Sequence, residues 1–177
     1  MSYSRQSLPQ TRSMIFRPKL WIKNVLSIDR EFLDKNGIDA LILDLDNTLS
    51  MHGDPAAEEG IPEWLDKMRE LGVPMAVVSN NTAKRVAPLA AKLGLDYTAN
   101  GAKPLTFGLN RALGKLGTDR ERTAVVGDQI FTDVMGGNLA GMPTILVEPF
   151  HIEKGILFKI KRGAESLVFR RDFTKLR

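Results

Sequence analysis

The chain has 177 residues, of which 43% are hydrophobic and 26% charged, with two histidines and no cysteine; that is enough for one globular domain with a real core. Disulfides, thiolate metal sites and cysteine nucleophiles are excluded, and His52 and His151 alone make no His-rich zinc centre. The net charge of +4 divides into +5 over residues 1–28, −6 over 29–150 and +5 over 151–177.

Ala40–Leu45 predicts a buried strand, because a parallel strand covered on both faces is apolar almost continuously. Ile61–Leu71 predicts a helix, with Pro62 suited to its first turn and Gly72 to its end. Val73–Val78 is the second strand. A helix follows over Thr82–Leu93, which Pro88 is expected to kink or shorten. A short strand is expected near Tyr97–Ala99 and a helix over Pro104–Leu116. Thr123–Val126 is the next strand, Thr132–Ala140 a helix with two central glycines, and Thr144–Val147 the last strand. Strands alternating with helices at these spacings predict a parallel sheet in a layered α/β fold. Ligand sites in such sheets lie outside the carboxyl ends of the strands.

The polar residues stand where three of these strands end: Asp44 and Asp46, then Ser79 and Asn80, then Asp128. With Asp133 they make a carboxylate cluster, whose mutual repulsion a hard divalent cation such as Mg²⁺ relieves. A single aspartate at a strand end is most often a turn or cap residue; four at one edge are not. Ser79 and the amides after it lead towards a helix N-terminus, a setting that binds phosphate. Lys103, usually the profile of a surface residue, here follows the third strand opposite the acidic cluster. A carboxylate nucleophile divides phosphoryl transfer into two easier steps, and a second carboxylate two residues on can serve as acid and base.

Asp44-Leu45-Asp46-Asn47-Thr48-Leu49, Val78-Ser79-Asn80-Asn81, Ala102-Lys103-Pro104 and Gly127-Asp128-Gln129-Ile130-Phe131-Thr132-Asp133 resemble, in this order, the four motifs of the haloacid dehalogenase (HAD) superfamily. The resemblance covers about residues 16–150 and extends to the YqeG-type branch, relatives of a phosphatidylglycerophosphate phosphatase, through Phe16-Arg17-Pro18 and GDQIFTDVMGGN. It implies a three-layer α/β/α Rossmann-like core and a phosphatase. Asp44 is then the nucleophile and Asp46 the general acid/base, Ser79, Asn80 and Lys103 bind the substrate phosphate, and Asp44, Asp46 and Asp128 hold Mg²⁺. Asp46 is expected to reach the metal through its backbone carbonyl, and Asp133 to support Lys103 or the metal shell. Residues 50–60 do not match the branch.

Only 32 residues separate Asp46 from Ser79, and 23 separate Ser79 from Lys103. Neither gap holds a large cap domain, so the site is expected to be open, suited to a large substrate such as a lipid headgroup. The expected organisation is a basic N-terminal segment over 1–37 packing on or flanking the core, a HAD-like catalytic domain over 38–150, and a basic amphipathic tail over 151–177. In the tail, Ile152, Ile156, Ile160, Ala164 and Leu167 recur at helical spacing among Lys154, Lys159, Lys161 and Arg162, the pattern of an interfacial helix. The basic ends thus point to an anionic membrane surface, with packing on the body as the plainer alternative. No apolar h-region or spanning run is present, so the expected location is cytoplasmic or peripheral on the inner face of the membrane.

The expected substrate is a phosphate monoester on an anionic phospholipid, phosphatidylglycerophosphate first. Soluble sugar, nucleotide or protein phosphates are the second reading. A non-catalytic RNA- or ribosome-binding role is the third, and no aromatic-rich nucleic-acid motif supports it. A two-component receiver also uses an acidic pair and a Lys-Pro, but there the Lys-Pro follows the last strand, whereas Lys103-Pro104 precedes Asp128.

Overall fold

The computed structural model describes residues 15–148; the tail over 151–177 and the first fourteen residues lie outside it. Six strands form one wholly parallel sheet: β1 (Leu20–Ile22), β2 (Ala40–Leu43), β3 (Met75–Val78), β4 (Asp96–Thr98), β5 (Thr123–Gly127) and β6 (Thr144–Val147), in the order β1-β6-β5-β2-β3-β4. The inner strands β2, β3, β5 and β6 are buried at every position, as the continuous apolar runs require. The edge strands β1 and β4 are partly exposed.

Helices α1 (Arg30–Asn36), α2 (Ile61–Glu70), α3 (Ala83–Lys92), α4 (Phe107–Leu116) and α5 (Met135–Leu139) cover the sheet. One face packs Leu41, Leu43, Val77 and Val126 against Leu33 of α1, Trp64, Leu65 and Met68 of α2, and Val86 and Leu89 of α3. The other packs Ile42, Ala76 and Val125 against Leu109 and Ala112 of α4. The alternation of Leu41, Ile42 and Leu43 between the two cores follows from the two-residue period of a strand. The result is the three-layer α/β/α architecture, and among the described residues no domain is inserted after β2 or β3.

The structure departs from the sequence expectation in four places. The sheet begins earlier, with β1, and α1 precedes β2. Asp29 accepts from the Phe32 amide at the start of α1, and Gly37 closes it in the left-handed conformation. Pro88 neither ends nor shortens α3, which runs on to Lys92 because Val86, Leu89 and Ala90 pack into the core on either side of it. α4 starts at Phe107 rather than Pro104, after a loop in which Asn100 and Ala102 have positive φ. The expected Thr132–Ala140 helix is a π turn over Ile130–Val134 running into α5. Gly137 is small for a reason there, since a Cβ would overlap the Thr144 and Val125 side chains of the sheet beneath.

Candidate active site

The strand order reverses at the β2–β5 pair: from β2 the chain winds outward through β3 and β4, then returns to lay β5 on the other side. The crevice at such a switch point is where an α/β sheet binds its ligand. Asp44 leaves the end of β2 there, its amide bonded to the Val126 carbonyl at 2.8 Å, and Asp128 leaves the end of β5. Ser79 follows β3, and Lys103 comes from the loop after β4.

Four charged groups meet in this crevice, all of them buried. The Lys103 Nζ lies 2.5 Å from Asp44 Oδ1 and 2.6 Å from Asp133 Oδ1. Carboxylate oxygens of Asp44, Asp128 and Asp133 lie within 4.8 Å of one another. Asn47, with φ of 60°, reaches Asp128 Oδ2 through its side-chain nitrogen at 3.4 Å. Asp133 is carried by the π turn, and its Oδ2 accepts from the Gln129 amide at 3.1 Å. Gly127 makes room for it, because a Cβ at that position would occupy the space of the Asp133 carboxyl.

One ammonium faces three carboxylates. Burial pushes the Asp44 pKa up; Lys103 pulls it down, Asp133 and Asp46 push it up again, and the balance stands at about 7. Burial alone would lower Lys103, but Asp133 and Asp44 override it and hold that ammonium above the usual lysine value. An all-oxygen, buried donor set with surplus negative charge fits a hard divalent cation.

Asp46 faces elsewhere. Its Oδ2 accepts from the Asn81 side chain at 2.6 Å and its Oδ1 from Arg85 at 2.9 Å, with His52 Nδ1 at 3.9 Å. The carboxylate grouping is therefore Asp44, Asp128 and Asp133, and the Asp46 side chain stands outside it. Asn80 turns both ends of its amide to the Lys103 backbone, accepting from the nitrogen at 2.7 Å and donating to the carbonyl at 2.8 Å. Ser79 Oγ accepts from the Asn81 amide at 3.1 Å, ahead of the α3 N-terminus. No sequence motif points to Arg85. A lone arginine on a helix, 39 positions from its partner, leaves no pattern, although its place in the first turn after Ser79 is a usable signal.

A buried acid–lysine cluster at the switch point of a three-layer parallel sheet, next to a helix N-terminus, is suited to handling a phosphoryl group beside a carboxylate nucleophile. The HAD-hydrolase-like family model matches residues 101–149. The chain is 36% identical over 153 residues to the probable phosphatase YqeG of Bacillus subtilis, covering 86% of this chain and 89% of that one. It is 24% identical over 168 residues to phosphatidylglycerophosphate phosphatase 1 of Arabidopsis thaliana, covering 89% of this chain and 48% of that one, so it spans about half of the plant protein. A HAD family hydrolase from Deinococcus radiodurans shares the fold, with a TM-score of 0.58 at 20% identity over 75% of this chain and 89% of that one. The chain belongs to the HAD superfamily, as a phosphatase of its YqeG-type branch.

Proposed function

We propose that this phosphatase is Mg²⁺-dependent, works through a phospho-aspartate on Asp44, and acts on phosphatidylglycerophosphate at a membrane surface. The observation that carries the chemistry is the buried Asp44–Lys103–Asp133 contact beside Asp128, at the carboxyl edge of the sheet. The lipid comes from the named activity of the plant relative, and the absence of an inserted cap among the described residues agrees with a substrate that itself closes the site. The basic stretches over 1–28 and 151–177 are read as the attachments to an anionic surface. On this reading residues 38–150 are the catalytic body, the basic segment over 1–37 packs on or flanks it, the basic tail over 151–177 is an attachment, and the chain works in the cytoplasm at the inner face of the membrane.

Asp44 attacks phosphorus in line with the ester oxygen, the P–O bond to the alcohol breaks, and Asp46 gives that oxygen a proton. Asp46 then takes a proton from water, whose oxygen attacks the acyl phosphate; inorganic phosphate leaves and both carboxyls return to their starting state. Lys103 sits against Asp44 and compensates charge on the phosphoryl oxygens, with Ser79 and the amides leading into α3 as further donors. Asn80 serves the phosphate by fixing the Lys103 backbone. Asn81 and Arg85 aim Asp46. Mg²⁺ would be held by the Asp44 and Asp128 carboxylates with the Asp46 carbonyl, Asp133 alongside, and when bound supplies neutralisation of the phosphoryl group. No helix among the described residues is long and apolar enough to cross a membrane, which agrees with a peripheral attachment.

The test is phosphate release by the purified full chain with Mg²⁺, from phosphatidylglycerophosphate in vesicles and from a panel of soluble esters. Release from the lipid is expected, with Asp44→Asn reducing it by at least ~10³-fold, the scale on which loss of a nucleophile is felt. Equal or faster turnover of soluble esters, unmoved by anionic vesicles, overturns the lipid and leaves the chemistry standing.

A further inference from the structure

Six large apolar side chains are exposed among the described residues, and the two most exposed stand two and four residues after Lys103 of the site: Leu105 at 67% and Phe107 at 69%. Both follow Lys103, whose ammonium is at the bottom of the crevice. Leu105 is in the loop that leaves the carboxyl edge of the sheet, its amide bonded to the Ala102 carbonyl at 2.8 Å, and Phe107 is the first residue of α4. Two large apolar side chains this exposed within three residues of one another are candidates for a contact surface. Neither side chain is needed to complete the core, which Leu109 and Ala112 of the same helix already fill.

The charge beside this patch decides what kind of contact it is. On α4, Arg111 and Lys115 follow Phe107 at four-residue spacing, so all three share one face, and all three are exposed. From Tyr97 to Thr118 the only exposed charged residues are Arg111 and Lys115, both basic, since Lys103 is buried against Asp44 and Asp133. Between α4 and the edge strand β4 a groove of about 310 Å³ is lined by Tyr97, Thr98, Ala99, Arg111, Lys115 and the single acid Asp96. An apolar tip leading into a cationic face beside a groove that admits a headgroup is complementary to an anionic bilayer, where apolar insertion and charge attraction add. A protein partner would match the apolar tip equally well, but has no general reason to be anionic along the adjoining helix.

We propose that Leu105 and Phe107 form a wedge that enters an anionic lipid surface, with Arg111 and Lys115 against the headgroups, so that the mouth above Asp44 faces the bilayer. This rests on the lipid-substrate reading for its purpose, but the contact is measurable without any substrate. It also differs from attachment through the basic ends, which would tether the chain without orienting it.

The chain has no cysteine, so a single introduced cysteine carries a label uniquely. Phe107→Cys bearing an environment-sensitive dye is expected to shift to the blue on binding phosphatidylglycerol vesicles, while the same dye at Glu70→Cys, on the opposite edge, stays unshifted. In the otherwise native full chain, Leu105→Ser with Phe107→Ser is expected to weaken vesicle binding by about tenfold or more, as loss of two inserted apolar side chains requires. The rate on soluble p-nitrophenyl phosphate should stay within about twofold, since neither residue touches the reacting groups. An unshifted dye on vesicle-bound protein, or native vesicle affinity in the double variant, overturns the wedge. So does a dye shift that depends on protein concentration and needs no vesicles, which would make the patch a self-association surface. If the dye shifts but no lipid phosphate is hydrolysed, the wedge stands and the substrate reading fails; hydrolysis with an unshifted dye gives the reverse.

Discussion

The two ends of β2 carry the same kind of ion pair and use it differently. At the amino end Asp39 meets Arg122 through two contacts, at 2.5 and 2.7 Å, tying β2 to the start of β5. At the carboxyl end Asp44 meets Lys103, also at 2.5 Å. Distance does not separate them, but burial does: the side chains of the first pair are 54% and 50% exposed, those of the second 3% and 9%. In water the attraction is largely cancelled by solvation and by the entropy of holding two side chains still. In the crevice each charge has lost its water, and the cluster holds together only because Lys103 serves two carboxylates at once. A sheet has no structural need for three buried aspartates at one edge, so the cost of keeping them there points to chemistry.

Removing the shared cation tests that contrast hardest. Lys103→Met keeps most of the unbranched stem and leaves Asp44 and Asp133 without their ammonium. Metal-free protein is expected to lose ~3 kcal/mol of stability in urea denaturation, as breaking a buried pair does. Phosphate release should fall by on the order of 10²–10³-fold, since a charge aimed at the phosphoryl oxygens is gone. Retained activity at native level would mean that Lys103 only balances the carboxylates.

A second, smaller effect is read as a function of pH. Asp44 is raised from 3.8 to about 7, with burial as the first cause. Between those values the folded chain keeps a proton on Asp44 that the unfolded chain has released, so stability falls as pH rises through this window and levels off above it. Other groups titrate as well, so the quantity to follow is the stability of the native chain relative to Asp44→Asn, in chelator. It should decline by about 1–3 kcal/mol between roughly pH 4.5 and 7.5, and Mg²⁺ should flatten the slope by favouring the ionised carboxylate. A difference independent of pH would show that Asp44 titrates as it does in the unfolded chain.

The same contrast explains what was legible in the sequence. Asp44 and Asp128 could be found because each ends a run, ALIL and TAVVG, whose unbroken apolarity announces a buried parallel strand. Burial of the acids could then be inferred from the strands that deliver them. Side-chain direction is a different kind of information. Asp46 lies two residues after Asp44 yet faces Asn81 and Arg85, because the chain turns sharply at Leu45, whose carbonyl takes the amides of Leu49 and Ser50 at 2.9 and 3.1 Å. The pairing of Asn80 with the Lys103 backbone and the π turn that lifts Asp133 are likewise products of tertiary packing. β1 was hidden for another reason, since three residues are too few for a periodic signal. The caps of α1, Asp29 and Gly37, enclose only seven helical residues, too few for a strong periodic signal.

The amino-end pair supplies the smallest effect and the sharpest control. A double-mutant cycle on Asp39→Ala and Arg122→Ala measures the coupling between these two side chains alone. It is expected to be ~0.2–1 kcal/mol, towards the upper end because the contact is two-pronged, and to shrink as salt is raised. Activity should not change in either variant, since the pair lies at the opposite edge of the sheet from Asp44. A coupling near that of Lys103 with Asp44 would mean that exposure is not what distinguishes the two ends, and buried charge would no longer mark the working edge.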